Sequence, residues 1–294
     1  MKNFRFIYAA VAALALTACE NEAPEASMTV TVEGACKAGE PVTFKIDGDA
    51  ENIVFYSGEP GHVFGLRDRV SADNDLNVSF VSYTDQSTGV HPNFQVLVSS
   101  DFNGVYEPAD VSAATWTDVT SQFTLPSQTG QNTPSGNVNL KRYVKSDGDL
   151  LYIAFRYFDL NGVGERNRWV VRSINIEKVS PEGAENTLAD IKTAGWKNVI
   201  MSGDKQWTLP GSQLLAAGNA ATSDKDFWAI STGFNVRSSE PSTGTVIKSL
   251  ANDISEFTYT YEKPGVYEAV FAGYSVWYNS EKTSTTSVRV TVSE

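Results

Sequence analysis

The chain has 294 residues, with 23 Lys and Arg against 35 Asp and Glu, a formal net charge of −12 and 2 Cys. So acidic a surface excludes nucleic acid and an anionic membrane surface as the main partner. The length admits one large or two small domains, each able to bury a core.

Residues 1–18, "MKNFRFIYAAVAALALTA", carry Lys2 and Arg5 ahead of an apolar run from Phe6 to Leu16. The run is too short to span a bilayer as a helix and reads as an export signal. It ends in Leu16-Thr17-Ala18-Cys19, which resembles a bacterial lipobox. That resemblance implies a lipid anchor on Cys19, which becomes the first residue of the mature chain; the alternative is an ordinary cleavage site with an incidental cysteine. Each buried CH₂ of an acyl chain contributes roughly 0.8 kcal/mol, so several chains anchor stably. Loss of residues 1–18 removes two bases and no acid, taking the charge from −12 to −14. With Cys19 acylated, Cys36 is the one thiol left and no intrachain disulfide forms. Beyond the signal no apolar run reaches about 18 residues, so no transmembrane helix is expected.

Residues 19–27, with Glu20, Glu22, Pro24 and Glu25 and no aromatic residue, read as a flexible tether. Acidic residues behind a lipobox cysteine resemble those of Bacteroidetes lipoproteins, which implies the outer face of the outer membrane. A linker facing the periplasm is the alternative.

From Met28 onward, short alternating or apolar segments such as "MTVTVEG", "PVTFKI", "NIVFY", "NFQVLVSS", "LLYIAFRYF", "RWVVRSINIEKV", "FTYTY" and "VYEAVFAGY" are broken by Gly, Pro, Asn, Asp and Ser. The pattern predicts an all-β protein. One helix is expected, over residues 186–194 with Gly195 as its stop. No fixed-period repeat is present.

The strands of one sandwich stand at the two ends of the chain. "GEPVTF" (39–44) and "IVFYSGEPG" (53–61) resemble the front of a polycystic-kidney-disease (PKD) type, immunoglobulin-like sandwich, and "YTYEKPGVYEAVF" (259–271) with "TSVRVTV" (286–292) resemble its back. Gly61 and Phe257 are nearly two hundred residues apart. The expected organisation is therefore a discontinuous PKD-like sandwich, residues 28–66 plus 245–294, split by an inserted domain, residues 67–244. Two separate half-sandwiches would leave apolar faces and strand edges exposed. Pro264-Gly265 is expected to make a tight turn with φ > 0 at the glycine, and Tyr259, Tyr261 and Tyr267 to be core or corner tyrosines. Ser57, Glu59 and His62 lie together around Gly58 and Gly61 but lack the G-x-S-x-G elbow and are too close in sequence to be read as a triad.

In the insertion, "QVLVSSDFNG" (95–104) predicts a strand and turn, "ATWTDVTSQFTL" (114–125) a strand, "SGNVNL" (135–140) a turn, and residues 149–179 two strong strands joined by a loop. This order resembles jelly-roll modules, an architecture shared with many carbohydrate-binding modules. "FYSGEPGHVFGLRDR", "VSSDFNG", "ATWTDVTSQF", "SGNVNLKRY", "YIAFRY", the Trp169 strand and "YTYEKPGVYEAVF" occur in that order across nearly all of the mature chain. Together they resemble the Bacteroidetes lipoprotein family catalogued as domain of unknown function 5017. The resemblance implies a fold and a habitat and no assigned chemistry; its members are similar in kind to accessory lipoproteins beside outer-membrane nutrient importers, several of which hold glycans.

Sugar rings pack flat C–H faces on exposed aromatic side chains while amides and carboxylates satisfy the hydroxyls. Three places offer that combination: Tyr274, Trp277, Tyr278 and Asn279 at the turn between the last two strands; Tyr157, Phe158, Asp159, Asn161, Arg166 and Arg168 around a Gly-rich loop; and Trp207 between turn residues. At each, the alternative is an aromatic packed against the sandwich. Trp116 and Trp169 lie in strand patterns and are expected in the core. No metal and no cofactor is expected. "DNDLN" (73–77) lacks the sixth-position Gly and twelfth-position Glu of a calcium loop, and only His62, His91 and Cys36 remain as nitrogen or sulfur ligands for zinc. Asp101 in "SSDFNG" stays open to calcium. The expected function is a non-catalytic outer-membrane lipoprotein that captures polysaccharide or oligosaccharide beside an importer. A protein-binding adhesion or structural lipoprotein is the second reading. A glycoside-active enzyme is the third, since many carboxylates are present and no pair is singled out.

Overall fold

The computed structural model describes residues 22–87, 89–159, 168–209, 211–216 and 224–294. Cys19, the expected lipid anchor, lies outside the described residues. The chain opens with strands β1 (Met28–Glu33), β2 (Cys36–Lys37), β3 (Pro41–Gly48) and β4 (Asn52–Tyr56). It continues through β5 (Asp75–Asp85), β6 (Phe94–Ser99), β7 (Thr117–Asp118), β8 (Thr133–Pro134), β9 (Val138–Asn139) and β10 (Leu150–Asp159). Then follow β11 (Arg168–Val179), β12 (Glu185–Asp190), β13 (Lys197–Ser202), β14 (Leu214–Ala216), β15 (Lys225–Ile230) and β16 (Phe234–Asn235). β17 (Thr245–Lys248), β18 (Glu256–Thr260), β19 (Gly265–Trp277) and β20 (Ser280–Ser293) close it. The protein is all-β, with one short α-helix, α1 (Pro108–Ala113), and three single-turn 3-10 helices among the described residues.

The chain divides into two compact units, one discontinuous (1–64 and 243–294) and one inserted (65–242). In the discontinuous unit a three-stranded sheet, β1-β3-β18, faces a five-stranded sheet, β17-β4-β19-β20-β2. β3 alternates as a strand with one buried face should: Val42, Phe44 and Ile46 point inward and their neighbours outward. Both sheets draw strands from the two distant stretches, with Phe44 opposite Phe257 and Phe55 opposite Phe271. These four rings form one cluster with centroid separations of 4.9–6.5 Å. The crossing points are paired as well: the Thr243 amide donates to the Gly61 carbonyl at 3.0 Å, and His62 Nδ1 lies 2.8 Å from the Thr243 carbonyl.

A tyrosine network seals the end of this core. Tyr261, fully buried, donates to the Ser57 carbonyl at 3.0 Å; Tyr259 donates to Glu59 at 2.6 Å; and Ser57 donates to the same Glu59 oxygen at 3.0 Å. Tyr267 stacks on Tyr261 at 4.5 Å and bonds back to the Lys263 carbonyl, as a corner tyrosine does. Gly58, at φ +82°, lets the 57–62 loop close on β19: a Cβ there would stand 2.6 Å from the Glu268 carbonyl oxygen. Gly265 does not take the left-handed backbone expected of it; it is the first residue of β19, and its missing side chain leaves room for the Tyr267 ring.

In the inserted unit one sheet runs β13-β15-β10-β6-β7, with β16 also on β10, and the other runs β12-β11-β5-β8, with β14 on β11 and β9 on β5. β5 alternates without interruption over 11 residues. The core between the sheets holds Phe80, Phe94, Phe155, Trp169 and Phe227, with Trp169 stacked on Phe94 at 4.5 Å. The outer face of β10 carries a second, smaller cluster, in which Phe102, Tyr106, Val111 and Trp116 cover Leu97, Tyr152, Ala154 and Trp228. That cover explains why β10 is buried along most of its length.

Four further sequence expectations are corrected here. Residues 186–194 form β12 and a turn in place of a helix, because the edge of β11 takes β12 as its partner, and Asp190 then accepts from the amides of Lys192 and Thr193 to end the strand. Of residues 114–125 only Thr117–Asp118 is strand, and Trp116 belongs to the outer cover, not the core. The described part of the expected tether is packed: Ala23 and Ala26 are buried at 4% and 2% exposure, small apolar side chains that fit against β20.

The tyrosine network makes stability pH-dependent. Burial, followed by the nearby Glu59 charge, pushes the Tyr261 hydroxyl up; burial and the hydrogen bond to Glu59 raise Tyr259. Unfolded tyrosines ionise near pH 10, while these keep their protons in the folded state, so stability is full below about pH 10 and declines above it. Urea midpoints compared at neutral pH and above about pH 10 should fall with rising pH; an unchanged midpoint would contradict the network.

Candidate ligand-binding surfaces

Along β10 the side chains alternate between two environments. Leu151, Ile153, Phe155 and Tyr157 enter the inter-sheet core, and Arg156 and Phe158 stand on the opposite, outer face. Tyr157 is fully buried and donates to Asp159, itself 3% exposed, at 2.9 Å. Asn93 also donates to Asp159, at 3.4 Å, and accepts from the Trp169 indole at 2.7 Å. Tyr157 and Asp159 are therefore structural, and their expected ligand contacts are withdrawn. Trp207 is corrected in the same way: it is 1% exposed, its ring meets Phe94, Phe155 and Phe227, and Asn198 holds its backbone through two hydrogen bonds of 2.8 and 3.0 Å. Arg168 opens β11 and pairs with Asp85 directly across from it on β5. Asn161 and Arg166 lie outside the described residues.

Of the described members of that group, Phe158 and Arg168 keep partial exposure; Arg168 is taken up by Asp85, while Phe158 is surrounded by residues that the sequence did not single out. The Arg156 guanidinium donates from Nε and Nη2 to the two oxygens of Asp226, at 2.9 and 2.6 Å, and from Nη1 to Gln95 at 2.9 Å. Gln95 donates onward to Asp118 at 2.8 Å, and the Trp228 indole donates to Asp226 at 2.9 Å. The result is a polar chain, Asp118–Gln95–Arg156–Asp226–Trp228, that crosses β7, β6, β10 and β15. The guanidinium lies 5.0 Å from the Phe158 ring centre and 5.5 Å from that of Trp228, within cation–π range. The Arg156 and Asp226 side chains are 31% and 22% exposed, so the pair is half-buried. Of five guanidinium N–H donors, three are used in these bonds. Strand parity could have found Arg156 beside the Phe158 already singled out: once Leu151, Ile153 and Phe155 face inward, the even-numbered positions face outward.

The hairpin tip between β19 and β20 is open. Trp277 pairs with Ser280, Tyr278 and Asn279 form the turn, and Tyr274 sits half-buried further down β19. Tyr278 is fully exposed, Trp277 is 44% exposed, and they are the only aromatics among the exposed large hydrophobic residues of the described chain. Elsewhere, Ser57 bonds Glu59 while His62 turns to Thr243, so serine and histidine do not meet. Asp101, left open to calcium by the sequence, accepts from the Ser99 hydroxyl at 2.7 Å and the Thr115 amide at 2.8 Å. Burial pushes the Asp101 carboxyl up, but these hydrogen bonds outweigh it and hold the pKa below the ordinary value. Among the described residues no group of three or more His, Cys, Asp and Glu is placed to hold a metal ion.

One family model, described as Domain of unknown function (DUF5017), matches residues 18–196. The match is shorter than the motif order in the sequence suggested: it takes in β1–β4 and the inserted unit as far as β12, and stops before β13–β20. No curated protein and no solved structure matches the chain.

The reassignment of Trp207 is directly testable. Trp207→Ala should destabilise the inserted unit by about 3–5 kcal/mol, the cost of emptying a packed aromatic site, in urea unfolding followed by near-ultraviolet circular dichroism. A change under about 1 kcal/mol, in the range of a surface substitution, would return Trp207 to the surface.

Proposed function

The chain belongs to the family described as Domain of unknown function (DUF5017), and from that premise we propose that it is a lipid-anchored, non-catalytic lipoprotein of the bacterial outer membrane that captures glycans beside a nutrient importer. In this reading the discontinuous unit is a PKD-type, immunoglobulin-like sandwich and the inserted unit a jelly-roll-like one. Cys19 carries the lipid, and the cell-surface face follows from the acidic residues behind it.

The observation that carries the glycan reading is the outer face of β6, β10 and β15. There the Phe158 ring stands beside a row of fixed hydrogen-bonding groups, Gln95, Arg156 and Asp226. A pyranose needs both kinds of contact at once, an apolar plate for its C–H face and preset donors and acceptors for its hydroxyls. Because Arg156 is already held by Asp226 and Gln95, it would bind without first losing side-chain freedom, which lowers the cost of association. Asp118 and Gln95 extend the row toward β7 and supply acceptors for further hydroxyls.

A glycan array and affinity gels of plant, host and microbial polysaccharides, run with the parent protein and with Phe158→Ala, test this reading. Loss of one stacking ring removes about 0.5–1.5 kcal/mol, so the variant should bind up to about tenfold more weakly. Equal retention of both proteins would remove the β10 face as the site. Failure of the parent to bind any polysaccharide would contradict glycan capture and favour a protein partner.

A further inference from the structure

The first described residues lie along the hairpin that ends in Trp277 and Tyr278. The Ala23 amide donates to Ser280 Oγ at 3.0 Å, Ser284 donates to the Ala26 carbonyl, and Thr286 donates to the Met28 carbonyl at 3.0 Å. Reading 23, 26, 28 against 280, 284, 286, the chain enters at the hairpin tip and runs down β20 away from it. Lys282 fixes this entry point, its ammonium lying 3.5 Å from both Glu22 and Glu25. Burial of Ala23 and Ala26 adds apolar contact to the same attachment.

Cys19 stands four residues before Ala23. A fully extended chain covers at most about 3.3–3.6 Å per residue, so the sulfur-bearing residue lies no further than about 14 Å from Ala23 along the chain. The opposite end of the hairpin, at Gly265, is twelve strand steps from Trp277, or about 40 Å at the usual rise. A lipid on Cys19 therefore holds the bilayer surface at the tip end and not at the other. At that end three consecutive side chains, Val276, Trp277 and Tyr278, are 56%, 44% and 103% exposed. Trp and Tyr combine an apolar ring with a polar edge, the composition favoured at the headgroup boundary of membranes.

We propose that the Val276–Tyr278 hairpin tip inserts into the headgroup region of the membrane that receives the acyl chains of Cys19, giving the discontinuous unit a second point of contact. This rests on the acylation of Cys19 proposed above. It reassigns the tip aromatics from sugar to lipid, since a site beside the anchor faces the bilayer. Insertion is shallow, within the about 5–10 Å reached by interfacial elements, because the exposed Glu281 and the Glu22–Lys282–Glu25 cluster follow directly behind the tip. The contact also needs no anionic lipid, which suits a mature chain of net charge −14 once Lys2 and Arg5 are lost with residues 1–18.

The test uses the mature acylated protein, from Cys19 to Glu294, in liposomes of phosphatidylethanolamine with a minor fraction of phosphatidylglycerol. An environment-sensitive fluorophore is placed at Tyr278→Cys and, separately, at Lys263→Cys in the turn at the far end of the hairpin; the unsubstituted protein reports background labelling at the buried Cys36. Liposome flotation of the protein and of Cys19→Ala reports the anchor itself. The expected result is flotation lost in Cys19→Ala, with a blue shift and quenching by headgroup-proximal quencher lipids at position 278 and neither at 263. Flotation with the two labels equally exposed to water would overturn tip insertion and leave the anchor standing. Flotation that does not depend on Cys19 would overturn both.

Discussion

Closure of the discontinuous unit is the constraint on which the rest of the molecule depends. Its core rings come in pairs from opposite ends of the sequence, Phe44 and Phe55 from one, Phe257 and Phe271 from the other. Neither stretch can bury its own apolar face without the other. Burying a Phe contributes about 1.5–3 kcal/mol, and closing a flexible loop the length of residues 65–242 would cost about 5 kcal/mol by the logarithmic loop law. The insertion is not a flexible loop, however. Its own ends are joined, by the Ser242 amide to the Leu66 carbonyl at 3.1 Å, the Ser71–Ser238 bridge and the Ser239 amide to the Val70 carbonyl at 3.0 Å. Once folded, the inserted unit presents its two ends side by side, and the two halves of the discontinuous unit meet as if across a short connection.

The same arrangement separates tasks. The discontinuous unit contains the first described residues and the aromatic hairpin tip at one end, and the tyrosine network with the crossing at 61–64 and 243 around the 57–62 loop. Its exposed aromatics are confined to the tip. On the outer face of β10 and β15 in the inserted unit, aromatics are either covered, as Tyr152 and Trp228 are, or partly exposed beside a charged network, as Phe158 is. The proposed membrane contact and the proposed glycan site thus draw on different surfaces, each built from residues that the other does not use.

Much of this was legible in the sequence because alternation is a local signal. Val42, Phe44 and Ile46 on β3, or the unbroken pattern of β5, declare strands and faces without reference to anything distant. The split was legible for a related reason: each terminal stretch carries half of a pattern that closes only with the other. What failed was the parity of single residues in loops and at strand ends. "YFDLNG" reads as a polar-aromatic loop, yet β10 continues to Asp159 and carries Tyr157 inward with it. Trp207 sits among turn residues, but Asn198 pins its backbone so that the ring enters the core, a contact from a neighbouring strand that no local pattern records. The Arg156 network was missed because its members, Gln95, Asp118, Arg156 and Asp226, lie on four strands far apart in sequence and look like ordinary solvated positions when read one at a time.

Native-state hydrogen exchange on the full chain tests the closure account most directly. If the two terminal stretches form one cooperative core, amides of β3 and β4 and those of β18 and β19 should open together, with the same free energy and the same dependence on denaturant. Protection of β19 and β20 that persists after β3 and β4 have exchanged would mean that the C-terminal stretch folds without its distant partner, and the split-core account would be wrong.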